Sequence, residues 1–128
     1  QGFEGASPGT DGQGTADLAA LAEAAGSDSN SAFVPESYAA AAMVMLAMQA
    51  AGSSASADLK DHVMSVANAP GVEIFPGELA KGLEILANGG EIDYVGASAV
   101  DLIGPGESAG NYQENEFADG VYSTIGYR

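Results

Sequence analysis

Apart from Gln49, every residue from Ala39 to Ala51 is apolar. Pro35 suits the first turn of a helix, Glu36 complements the positive end of its dipole, and Gly52 is a ready stop. The pattern predicts one helix from about Pro35 to Ala51. Such a helix has no polar side to turn to water and needs cover from several directions. A bilayer does not supply it, because the most apolar run, Tyr38 to Met48, is about half the length a membrane span requires. Burial between layers of other structure is what remains, and the rest of the chain has to provide those layers.

Gln1 to Gly14, with Ser7-Pro8-Gly9, reads as a short extended segment running into a loop. Asp17 to Ala25 is helix-forming and ends at Gly26, and Ser27 to Ala32 is polar linker. A third helix is expected from Ser56 as N-cap, with Asp58 in its first turn and Leu59, Val63, Met64 and Val66 on one face. Asn68-Ala69-Pro70-Gly71 stops it. Val72 to Phe75 suits a short strand, and a fourth helix runs from about Pro76 or Gly77 to Asn88, with Leu79, Leu83, Ile85 and Leu86 inward. After Gly89-Gly90 the period changes to two. Ile92 to Ala97 and Gly120 to Tyr127 read as strands, with a glycine-rich loop from Gly104 to Gly110 between them. There is no internal repeat. Helices fill the first two-thirds and strands the end, but the strands are few for a helix that needs so much cover. This suggests part of a larger α/β layer structure; a stand-alone helical domain is the alternative.

The 128 residues are one domain's worth, enough to bury roughly two-thirds of the unfolded surface. Alanine supplies much of the apolar content and tryptophan is absent, so the core should be thin. Eighteen acidic residues face three basic ones, Lys60, Lys81 and Arg128, for a net charge of −15. A polyanion of this kind is repelled by nucleic-acid phosphates and by anionic lipid. The plain reading is a strongly solvated surface, and no run of acids has the spacing of a calcium loop. Cysteine is absent, which excludes disulfides, thiol catalysis and thiolate metal sites. No signal peptide is visible, and a start at Gln1-Gly2-Phe3 suits a processed or excised piece.

Catalytic signatures are missing. His62, the one histidine, is flanked by Asp61 and Val63 with no second ligand or nucleophile indicated, and a helix-surface role is expected for it. No serine sits in a Gly-x-Ser-x-Gly elbow. Gly104-Pro105-Gly106 and Gly89-Gly90 are turns, because no Gly-Lys-Ser/Thr follows them. Met43, Met45 and Met48 are expected to fill core gaps. Phe33, Tyr38 and Tyr94 lie at element boundaries, where core packing is the ordinary role and ligand contact the sharper one.

Phe33-Val34-Pro35-Glu36-Ser37-Tyr38-Ala39-Ala40-Ala41, continuing to Met48-Gln49-Ala50-Ala51-Gly52-Ser53, is similar to a recurrent segment of type I periplasmic binding proteins of the branched-chain amino-acid type. In that family an aromatic residue, variable positions, a small residue, tyrosine and an alanine-rich helix lead to an Ala-Gly stop. Gly2-Phe3-Glu4-Gly5 resembles the family's upstream strand, where the chain crosses between lobes. Ala69-Pro70-Gly71-Val72, Pro76-Gly77-Glu78-Leu79-Ala80-Lys81 and Ile92-Asp93-Tyr94-Val95-Gly96-Ala97-Ser98 also resemble it, in order, followed by a terminal hairpin. The likeness lies in the series along the whole chain. Two departures bear on ligand preference: Ala39 stands where many members have aspartate, and Asp101 to Glu107 replaces the usual turn before the last strand.

The resemblance implies an α/β fold, helix-rich, as part of a type I periplasmic binding protein: a Rossmann-like lobe with a C-terminal hairpin. Residues 1–14 would be the lobe-crossing strand and loop, 15–100 the helix-rich part of one lobe, and 101–128 the C-terminal strand and hairpin. Members are roughly three times this length, as two-lobed proteins must be. It also implies a non-enzymatic, extracytoplasmic or periplasmic receptor that needs no cofactor or metal. Such a receptor closes on an amino acid or similar small solute and delivers it to an ABC permease. On this alignment Phe33 lies against the ligand, Ser7 faces the cleft near the crossing, and Glu36 stands beside Phe33. An ammonium group suits a carboxylate next to an aromatic face. The remainder of the chain would hold the ligand carboxylate. A ligand-sensing domain of the same fold is one alternative, and a stand-alone acidic protein-interaction or structural module is another.

Overall fold

The computed structural model describes residues 2–128, so Gln1 lies outside the described residues. The chain is a small mixed α/β domain without a barrel. Strand β1 (Phe3–Pro8) leads to helices α1 (Gln13–Ala24), α2 (Val34–Ala51), α3 (Ser56–Leu59) and α4 (Val63–Ala67). Strand β2 (Val72–Ile74), helix α5 (Leu79–Ala87) and strand β3 (Ile92–Tyr94) follow as a β-α-β unit. The chain ends in β4 (Leu102–Gly104), β5 (Glu107–Ser108), β6 (Tyr112–Ala118) and β7 (Val121–Tyr127).

The core forms where α2, α4 and α5 cover the parallel pair β2–β3, in register Val72 to Ile92 and Ile74 to Tyr94. Ala39, Ala42, Leu46 and Ala47 of α2 meet Val66, Ile74, Ile92 and Tyr94 there, all buried. The small side chains of α2 let the helices approach closely, and Gly82 of α5 completes the fit. A Cβ built on Gly82 would stand 2.9 Å from Leu46 Cδ2. Helix α2 stops where expected, with Gly52 in the left-handed region at φ 61°.

A separate antiparallel sheet in the order β1-β6-β7 joins the first strand of the chain to its last hairpin. Asp119 and Gly120, at φ 53° and 80°, make the two-residue turn between β6 and β7. Both central residues at positive φ match the twist of paired strands, which favours Asp-Gly here. One face of this sheet carries Asn115, 3% exposed and the one buried polar residue among those described. Its Nδ2 donates to Ser7 Oγ at 3.1 Å, and its Oδ1 accepts from Gln113 Nε2 at 2.7 Å and Thr124 Oγ1 at 3.2 Å. A side chain that bonds all three strands fixes their register where little apolar burial does so.

Several expectations need correction. The third helix is two short helices, α3 and α4, with His62 between them, and Ala55 in place of Ser56 is the residue before the first. Leu59, Val63 and Val66 still pack against the core, as their i, i+4, i+7 spacing predicts, so the break leaves the expected apolar face in place. Helix α1 starts at Gln13, earlier than Asp17, because Thr15 bonds to the Thr10 and Ala97 carbonyls and ties the first turn down. The glycine-rich segment from Gly104 to Gly110 carries part of the hairpin β4–β5, and β6 is a full strand that the acidic Tyr112–Ala118 pattern concealed. Helix α2 is covered on one side only: Val44, Met45 and Met48 are exposed, so of its methionines only Met43 packs on the core.

Candidate functional site

The first turn of α2 sits where the loop after β1, the loop after β3 and the segment before β6 converge. Val34 N–H donates to Ser31 O at 3.2 Å and Ser37 N–H to Phe33 O at 2.9 Å, closing the helix start. Phe33 precedes it in the left-handed region, φ 66° and ψ 7°, and the residue is 58% exposed. For a residue with a Cβ that backbone costs about 1 kcal/mol or more, so the surrounding bonds must hold it. Two residues into the helix, Glu36 turns its carboxylate toward the converging loops.

Two cavities flank that carboxylate and share Pro8, Gly9, Thr10 and Glu36 as a common wall. One, of about 200 Å³, continues along Ser98 and the segment Ser108 to Tyr112. The other, of about 190 Å³, is closed by Thr15, residues 29–33, Gln113 and Tyr127. The walls are braced by hydrogen bonds across the loops. Gly9 N–H donates to Asn111 O at 3.1 Å, and Asn111 Nδ2 donates to Ser98 O at 3.2 Å. Glu36 Oε2 is buried and has no hydrogen-bond partner. A buried carboxylate oxygen without a donor is costly, and in a folded protein it marks a place where a donor belongs.

Of the three residues singled out from the sequence, Phe33 and Glu36 come together on this wall. Ser7 does not join them; its hydroxyl accepts from Asn115 within the β1-β6-β7 sheet, one residue short of Pro8 on the cavity rim. The other aromatic candidates lie elsewhere. Tyr94 is buried in the core, and burial, with Tyr38 beside it, pushes its phenol well above the usual range. The Tyr38 hydroxyl accepts from Gly77 N–H at 3.3 Å. Sequence reasoning missed Tyr112, Tyr127, Ser98 and Asn111. Only the two tyrosines carried any signal, as aromatic residues bracketing the last hairpin, and nothing local places them beside Glu36.

Among the described residues no group of three or more histidine, aspartate or glutamate side chains is arranged to hold a metal ion. No helix among them is long and apolar enough to cross a membrane. No protein-family model, curated protein or solved structure matches the chain.

Proposed function

We propose that this chain is part of an extracytoplasmic solute-binding component of an ABC importer, and that it takes an amino acid or a related small organic solute at the cavities around Glu36. The observation that carries the reading is the buried Glu36 carboxylate oxygen, unpartnered between two small cavities, with the exposed Phe33 ring beside it. An enclosed anionic oxygen and an aromatic face are the two groups that hold an ammonium. The ordered resemblance to type I periplasmic binding proteins along the chain supports the same reading, and in that family the partners are the permease and the rest of the receptor. A second reading, an acidic protein-interaction module, draws support from the sheet: Phe3, Phe117 and Tyr122 stand in register across three strands, and all are at least half exposed.

The test is thermal unfolding against a panel of amino acids, amines, carboxylates and sugars. A ligand held at about a hundred times its dissociation constant adds about 2.7 kcal/mol, close to 10 °C on a domain of this size. At least one panel member is expected to give a shift of that kind, and Glu36→Gln and Phe33→Ala are expected to abolish it. A panel without any shift would sink the receptor reading and bring the interaction module forward.

A further inference from the structure

We infer that the open half of the β1-β6-β7 sheet is an interface for a second copy of this chain, and that two copies associate face to face through Phe3, Phe117 and Tyr122. None of the three lines either cavity beside Glu36, so this surface is separate from the solute site. The sheet lacks cover. Its strands make their substantial contacts only with one another. Asn115 is the sole buried residue in the three strands, so the sheet buries no apolar side chain. A small sheet without an apolar face packed against something is marginal in water.

Register decides which side chains share a face. Phe3, Phe117 and Tyr122 stand directly opposite one another across the three strands, as do Gly5, Asn115 and Thr124 two residues along. All six lie on one face, and none is charged. Glu4, opposite Glu116, lies on the other face with Glu114, which pairs with Arg128. That segregation selects the partner. A cationic protein would meet no carboxylate on the aromatic face and would be drawn to the opposite one. A second copy carries the same net charge of −15 and can approach only where charge is absent. Stacked sheets lie about 10 Å apart, so in a face-to-face pair the outward carboxylates of the two copies are about 20 Å apart. That is more than twice the Debye length of about 8 Å at physiological salt. Asp119 belongs to the exposed turn beyond the aromatic row and stays in water at the rim.

The exposed area is sufficient. Phe3 is 76% exposed, Tyr122 63% and Phe117 50%. At about 200 Å² for a whole aromatic side chain, the three offer about 400 Å² per chain and about 800 Å² in a symmetric pair. Gly5 and Thr124, also exposed, bring the total close to ~1,000 Å², the least that a specific interface needs. A two-fold pair sets the same patch against itself. Strand β6 is the middle strand, which places Phe117 at the centre of the patch, where a few residues carry most of the binding energy.

Sedimentation velocity on the whole chain, from low to high micromolar concentration in about 20 mM and about 300 mM sodium chloride, tests this. A monomer–dimer equilibrium is expected, tighter at the higher salt because the net charge is screened. Phe117→Glu should weaken the dimer roughly thirty-fold or more, the loss of one interface hot spot. Met45→Glu, which adds the same charge to the exposed side of α2, should leave it unchanged. Amide NMR shifts of the unmutated protein should move with concentration at Gly5, Phe117 and Tyr122, which locates the contact even if Phe117→Glu folds poorly. A monomer at every concentration in both salts would overturn the assignment and leave the face to the rest of a larger receptor. A dimer that weakens as salt rises would overturn it too, because the contact would then be between charges. A dimer lost in Met45→Glu and kept in Phe117→Glu, or shifts confined to α2, would move the interface to that helix.

Discussion

Leu46 and Gly82 should be energetically coupled, and the sign of the coupling follows from their contact. Leu46 is 0% exposed at the centre of the core. Truncation to alanine loses transfer free energy and leaves a cavity, for a cost of about 3–4 kcal/mol. Gly82→Ala alone has two opposing effects. An alanine inside a helix gains about 1 kcal/mol over glycine. Its Cβ, however, would stand 2.9 Å from Leu46 Cδ2, inside van der Waals contact, and overpacking costs about 1–3 kcal/mol. The net effect should be a loss of about 0–2 kcal/mol. In the double variant the clashing methyl is gone, the new methyl refills part of the cavity, and the helix gain is kept. The double variant should therefore be more stable than the sum of the single losses by about 1–2 kcal/mol. Urea unfolding followed by far-ultraviolet circular dichroism measures all four proteins. Added salt, which screens the net charge of −15, keeps the weaker variants within range. Additivity within about 0.5 kcal/mol would refute the argument, because independent sites behave that way.

Other outcomes follow from single contacts. Asn115→Ala removes the partner of Ser7, Gln113 and Thr124 and should cost about 1–3 kcal/mol in denaturant unfolding; a loss under about 0.5 kcal/mol would mean that water already satisfies these groups. Gly14→Ala places a Cβ against the Gly96 carbonyl oxygen and should destabilise by about 2 kcal/mol or more, although the same change in an open helix would stabilise. Asp93 is held above the usual carboxylate range by burial first, then by Glu73 and Asp101. The folded state therefore binds its proton more tightly than the unfolded one, so this group's contribution to stability falls as pH rises through that window. Asp93→Asn removes the cross-strand repulsion with Glu73 and should stabilise the neutral-pH protein by about 0.2–1 kcal/mol. The gain should vanish below the ordinary carboxylate range; an unchanged gain in acid would contradict the assignment.

The helix from Val34 to Ala51 was legible because its signals are local: proline and glutamate at the start, glycine at the stop, apolar residues between. The same holds for α5, for β2 and β3, and for β7. Strand β6 was hidden because Gln113, Glu114, Asn115 and Glu116 show no apolar alternation. Its place is set by partners at both ends of the chain, Phe3 to Pro8 on one side and Val121 to Tyr127 on the other. The split between α3 and α4 was hidden because Leu59, Val63 and Val66 keep the i, i+4, i+7 spacing of one helix, so the apolar pattern carries no mark of the break at His62. Among the candidate site residues, Phe33 and Glu36 are neighbours in sequence and on the helix, so their pairing was within reach. The diversion of Ser7 to Asn115 spans the chain and could not be read locally.

The sequence by itself determined the charge and the apolar helix with its glycine stop, together with α5, since each depends on backbone preferences and side chains within a few residues of one another. It also determined that a carboxylate and an aromatic ring would stand together at the start of the apolar helix. Only the tertiary structure decided which face of that helix is covered, that the first strand joins the last hairpin, and that the Glu36 oxygen is enclosed without a donor. These outcomes depend on contacts between residues far apart in the chain, where close packing and hydrogen-bond satisfaction, which local patterns do not encode, select among the arrangements they allow.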